Sequence, residues 1–128
     1  MNLIFGKLNP SGEPVYLQII RNFKQLILQG QIKDGDEVPS RRILAAQLGV
    51  NPNTVQKAFA ELEKEQLIQT PPNAKSVVLI SNDMLTNLRV ELLETHVTTM
   101  VDAAIGVGIT LNELVKMISK DWEKRGAK

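Results

Sequence analysis

The sequence predicts a mostly α-helical fold carrying one small β-hairpin. Three observations lead there. Apolar residues recur at three- and four-residue spacing along most of the chain, and glycines punctuate those stripes. Only the segment from Gln69 to Ile80 departs from the helical period, with two short β-prone runs around Pro71-Pro72. At 128 residues the chain fits one domain plus an appendage, expected at residues 1–80 and 81–128.

Residues 1–13 are expected to be irregular, with Asn9-Pro10-Ser11-Gly12 as a turn signal. Pro14 suits the first position of a helix. Val15, Ile19, Phe23, Leu26 and Ile27 then form one apolar stripe that ends at Gly30. Lys33-Asp34-Gly35-Asp36 is a turn, to which Asp34, Asp36 and Glu37 contribute polarity. Ser40 is the expected N-cap of a second helix, Arg41 to Leu48, whose Ile43, Leu44 and Leu48 face the core. Gly49 supplies the left-handed residue that stops it.

Asn51 caps a third helix, and Pro52 fills its first position, where a missing N–H costs nothing. Val55, Ala58, Phe59 and Leu62 form its buried face. Asn53, Thr54 and Lys57 lie on the other side, with Gln56 at the edge. After the hairpin, a long helix opens at Asn82 or Asp83 and runs to about Ile105, where Gly106 and Gly108 interrupt it. Thr110-Leu-Asn-Glu113 is a capping box, with Ile109 and Leu114 spaced as a hydrophobic staple. The last helix, about 111–125, carries Leu111, Leu114, Val115, Ile118 and Trp122 on one face, Trp122 as a packing anchor.

The pair of helices around Leu48-Gly49 is a helix-turn-helix, a unit that holds one short helix so that its polar face can enter the major groove of DNA. With the hairpin as its wing, the expectation becomes a winged helix-turn-helix domain followed by a C-terminal α-helical hairpin. On pattern alone the unit is only moderately specific, and a winged-helix protein-interaction module without specific DNA binding is the alternative.

Composition narrows the choices. Hydrophobic residues make up 43% of the chain and aromatics only 4%, so the core is aliphatic. There are no cysteines, which excludes disulfides and thiolate metal sites. The first residues lack a signal-peptide pattern, and no run approaches the ~18 apolar residues of a membrane span; a soluble cytoplasmic protein is expected. The net charge is only +1. Residues 1–76 hold nine Lys/Arg against seven Asp/Glu, and residues 77–128 hold six against seven. Any DNA affinity must come from local clustering of positive charge. A catalytic pairing for the single histidine, a phosphate loop and a carboxylate cluster are all missing from the sequence, so an enzyme is not expected. His96 is expected to be half-buried, and Glu94 and Asp102 do not complete a metal-ligand set with it. No cofactor is expected.

Pro14-Val-Tyr16-Leu-Gln18-Ile19, Gly30, Gly35-Asp36, Pro39-Ser40-x-Arg42-x-Leu44-Ala45, Leu48-Gly49-Val50, Thr54-Val55, Ala58-Phe59, Leu62-Glu63 and Leu67-Ile68 resemble, at fixed spacing, the winged-helix domain of GntR-type bacterial transcription regulators. The short C-terminal region and Asn51-Pro52-Asn53-Thr54-Val55-Gln56 look like the YtrA branch, in which two dimerisation helices replace a large effector domain. The resemblance implies a sequence-specific DNA-binding regulator, most simply a dimeric repressor on a pseudo-palindromic operator. Target operons of the kind YtrA-type regulators control often encode ABC transporters.

The resemblance also implies site residues. Arg42 matches an arginine that contacts operator DNA, and Asn53, Thr54, Gln56 and Lys57 match the recognition-helix start. Two positive charges at a helix amino end are unfavourable without an external anion, so Arg41 joins Arg42 as a candidate phosphate contact. Asn51 completes the set, mainly as a cap. Relatives often carry arginine where this chain has Pro52 and Gln56, so base reading should lean on amides, which pair well with adenine. Two departures stand out. The glycine common before Leu67-Ile68 is Gln66, and the Gly-rich wing is replaced by Pro71-Pro72-Asn73-Ala74-Lys75-Ser76, which leaves Lys75 as its one cation.

The long helix carries Leu85, Leu88 and Leu92 on one stripe and Leu93, Val97, Met100, Val101 and Ala104 on another. So broad an apolar surface points to a homodimer, with Trp122 joining the interface. Two helices are too little chain for a dedicated effector pocket of ~300 Å³ within one subunit. A pocket between subunits, lined by Met100, Ala104 and Trp122, is the alternative place for a small-molecule effector, whose nature the sequence leaves open.

Overall fold

The apolar stripe of the first helix decides where the core forms. In the computed structural model, which describes residue 8, residues 12–72 and residues 74–126, the elements run α1 (Val15–Leu28), α2 (Arg41–Leu48), α3 (Pro52–Lys64), β1 (Ile68–Gln69), β2 (Val77–Val78), α4 (Asn82–Gly106) and α5 (Leu111–Lys124). The expected turn at Asn9-Pro10-Ser11 and the wing residue Asn73 lie outside the described residues. The chain divides into two compact units, Met1–Leu92 and Leu93–Lys128.

In the first unit, Ile19, Phe23 and Ile27 of α1 pack with Leu44 and Ala45 of α2 and with Val55, Ala58, Phe59 and Leu62 of α3. The buried face of α3 is therefore the one its 3.6-residue period marks. Pro14 sits one place earlier than expected. Its ψ of 139° is extended while its carbonyl accepts from Leu17 and Gln18 N–H, so it caps α1 and does not begin it. Ile43, expected inside, is 53% exposed. A short helix packed along one side buries Leu44 and Ala45 and half-buries Leu48, and Ile43 falls on the opposite side.

Two polar residues of α1 are also buried, Gln18 and Lys24. The Lys24 ammonium lies 2.8 Å from Glu65 at the end of α3 and 2.6 Å from Glu91 on α4. Burial by itself would depress this ammonium, but hydrogen bonds to the two carboxylates outweigh it and hold the pKa above its ordinary value.

β1 and β2 pair antiparallel, Ile68 with Val78 and Gln69 with Val77. They are shorter than the run to Ile80 suggested: toward the tip Pro71 and Pro72 have no N–H to extend the ladder, and at the other end Gln66, in register with Ile80, leaves the extended conformation with φ of 64°. Residues 35–38 flank the other side of β2: Gly35 N–H donates to Val78 O, Val78 N–H to Asp36 O, and Val38 N–H to Ser76 O. Asp34 accepts from Ile80 N–H at 2.8 Å, fixing the exit from the wing. Met84, Leu85 and Leu88 of α4 close the core from below, Leu88 with 5% of its surface exposed.

In the second unit, Thr110 and Glu113 form the expected capping box at the start of α5. Hydrogen bonds from the Thr110 backbone and hydroxyl hold the Glu113 carboxyl below its usual range. No residue of α5 is buried despite its apolar face. Trp122, expected as a packing anchor, keeps 51% of its surface exposed. His96, expected half-buried, is exposed, on a stretch of α4 whose residues 93–103 are all exposed. Met100, Leu114, Met117, Ile118 and Trp122 line an open surface groove of about 470 Å³ within this one chain, not an enclosed pocket.

Candidate nucleic-acid interface

The helix-turn-helix is set by its caps. The Ser40 hydroxyl accepts from Ile43 N–H at 3.1 Å, and Gly49, with φ of 69°, ends α2 in the left-handed region. Two residues later Asn51 Oδ1 accepts from Asn53 N–H at 2.8 Å, and Pro52 begins α3. These local bonds bring the amino ends of α2 and α3 out of the core, while Val55, Ala58, Phe59 and Leu62 anchor the rest of α3 with no exposed surface.

The first turn of α3 is thus a polar end on an immobilised rod. Asn53, Gln56 and Lys57 are exposed and Thr54 is half-buried. The Lys57 ammonium lies 4.0 Å from the centroid of the Tyr16 ring on α1, which orients the long side chain without neutralising it. Asn51 spends its side-chain oxygen on the cap, as expected.

The two arginines part company. Arg42 is exposed and has no hydrogen-bond or ion-pair partner among the described residues. Arg41 turns inward instead. Its Nη2 lies 2.6 Å from Glu63 of α3, its guanidinium carbon is 5.0 Å from the centroid of Phe59, and its Nε is buried. The charge imbalance at the start of α2 is therefore met from within for Arg41 and left open for Arg42. The Glu63 partner lies 22 residues downstream, beyond what local spacing around Ser40 could reveal.

On the wing, Lys75 is exposed and 3.5 Å from Glu37, a surface pair of little strength. Thr70 and Ser76 hydroxyls meet at 2.6 Å across its neck, and Thr70 also donates to Glu63 at 3.3 Å. An open groove of about 530 Å³ separates the wing from the amino end of α2, lined on one side by Pro39, Ile43 and on the other by Ala74 and Lys75. The sequence named Glu63 and Ser76 only within motif runs and did not connect either with Thr70, since no motif spacing does.

Of the residues expected at a dimer interface, Leu88 is committed to the core of its own domain and Leu85 packs against that core. Leu92 is half-buried and Ala104 buried. Leu93, Val97, Met100, Val101 and Trp122 keep between 40% and 60% of their surface exposed.

Comparison with known proteins agrees with this geometry. Residues 15–78 match the family described as bacterial regulatory proteins, gntR family. The chain is 37% identical over 117 residues, 87% of its length and 88% of the relative's, to the HTH-type transcriptional repressor YtrA of Bacillus subtilis (strain 168). Among solved structures, a GntR family transcriptional regulator from Listeria monocytogenes superposes with a TM-score of 0.76 at 26% identity, covering 88% of this chain and 98% of that one. YtrA from Sulfolobus acidocaldarius, a GntR-family transcription factor, superposes with a TM-score of 0.55 at 37% identity over 68% of this chain and 95% of its own. With the helix-turn-helix, the wing and these relatives in agreement, the chain belongs to the GntR family of bacterial transcription regulators and is a DNA-binding regulator, not an enzyme.

Proposed function

We propose that this chain is a dimeric repressor that acts in the cytoplasm on a pseudo-palindromic operator, with Arg42, Lys57 and Lys75 on phosphates and Asn53, Thr54 and Gln56 on base edges. The observation that carries the reading is the first turn of α3, polar and exposed on a helix whose opposite face is wholly buried. Phosphate contacts fix register, and base edges supply the sequence information. The Bacillus subtilis relative is named a repressor, which supports repression as the direction of control.

The dimer rests on a different observation. An amphipathic α5 that buries nothing, beside Leu93, Val97, Met100 and Val101 of α4, exposes more contiguous apolar surface than a monomer ordinarily tolerates. A second copy of the same face covers it symmetrically, and two recognition helices then meet half-sites about one helical turn, ~34 Å, apart or a multiple of that spacing.

Fluorescence anisotropy on a duplex from upstream of its own gene tests the assignment. Arg42→Ala should weaken all sequences about equally and lower the salt-dependence slope by roughly one unit. Gln56→Ala should instead change base preference at one half-site position, by ~1–3 kcal/mol. Unchanged binding in both variants would remove these roles. Val97→Glu should yield a monomer in sedimentation; a stable dimer in that variant places the interface elsewhere.

A further inference from the structure

Arg41 sits at the amino end of α2, next to the residue expected on phosphate, yet its guanidinium faces the protein. It bonds Glu63 Oε1 at 2.6 Å over the Phe59 ring, with Nε buried. The same Glu63 oxygen accepts from the Thr70 hydroxyl at 3.3 Å, and Thr70 meets Ser76 at 2.6 Å. Thr70 follows β1 and Ser76 precedes β2, so this last bond closes the neck of the wing. Ser76 is buried, and its carbonyl accepts from Val38 N–H on the segment leading into α2. The chain of contacts thus starts on α2, crosses the recognition helix, and ends on both arms of the wing.

We propose that Arg41, Glu63, Thr70 and Ser76 form a latch that sets the angle of the wing against the recognition helix, with Arg41 as a positioning residue and not a DNA contact. The strands are two residues long, and while residues 35–38 hold β2 by three backbone bonds, Thr70 at the end of the β1 arm is held through its hydroxyl. Glu63 is the pivot, because one carboxylate serves both the arginine and the neck. A charge-assisted bond to a partly shielded carboxylate is stronger than the exposed Lys75–Glu37 pair further out. Pro71 and Pro72 restrict the backbone of the β1 arm just beyond the neck. The effect of the latch on operator binding rests on the DNA-reading role proposed above; the latch itself does not.

The absence of native cysteine allows the angle to be measured directly. Spin labels on Ala60→Cys in α3 and Ala74→Cys in the wing should give one narrow distance distribution in the otherwise unaltered protein. Adding Arg41→Ala, Glu63→Gln or Thr70→Val should broaden it, each measured well below that variant's melting temperature. An unchanged distribution in all three overturns the latch. In label-free protein, Arg41→Ala should weaken binding to the upstream duplex several-fold with an unchanged salt slope. A slope lowered by about one unit would make Arg41 a phosphate contact and overturn its positioning role. If the parent protein binds no duplex specifically, the operator reading fails, and the distance measurement alone decides the latch.

Discussion

α3 ends in a full Schellman motif: Leu67 N–H reaches back to Leu62 O at 2.9 Å and Gln66 N–H to Glu63 O at 3.0 Å. The residue between helix and strand must be left-handed, and Gln66 has φ of 64°. Among the described residues it is the one non-glycine with positive φ; Gly30, Gly49 and Gly108 hold comparable positions after α1, α2 and α4. A side chain in this conformation costs about 1–2 kcal/mol. Glycine avoids that cost but loses about 0.5–1 kcal/mol to its freer unfolded chain. The Gln66 side chain is exposed, with no partner among the described residues to lose. Gln66→Gly should therefore stabilise the protein by a net ~0.5–1 kcal/mol, equivalent to about 2–5 °C in Tm for a chain of this length. Thermal and urea unfolding followed by circular dichroism at equal protein concentration measure it, and equal concentration matters if the protein is a dimer. Gln66→Ala is the control, since it removes the amide but keeps Cβ and the strain. A Gln66→Gly variant no more stable than wild type, or a Gln66→Ala variant that gains as much, would refute the backbone argument.

Lys24→Met should destabilise by about 1–3 kcal/mol in urea unfolding, because Glu65 and Glu91 then face each other without their shared cation; their partial exposure keeps the cost below that of a fully buried pair. Lys24 titrates above its unfolded value, so its contribution is complete below the ordinary lysine pKa and is lost as pH rises through the folded one. Stability profiles should accordingly show an alkaline decline that is shallower in Lys24→Met. Glu113 lies below its unfolded value, so its contribution holds above the ordinary glutamate range and is lost as pH falls through the folded pKa. Glu113→Gln should flatten the acid limb of the same profile, and an unaltered limb would show that the capping box is not ion-dependent.

The sequence alone determined every element whose cause is local. Caps at Ser40, Asn51 and Thr110, the stop at Gly49 and the apolar period of α3 each act over a few residues, so the helix-turn-helix and its exposed reading turn were legible before any fold existed. Tertiary structure decided what distant partners do. The burial of Lys24 depends on Glu65 and Glu91, 41 and 67 residues away. The division of labour between Arg41 and Arg42 depends on Glu63, and the outward turn of Ile43 depends on which side of α2 meets the core. Leu88 looked like part of an interface stripe, but a helix that crosses two units spends one end on its own core. Periodicity reports that a face is apolar; only packing reports which neighbour covers it.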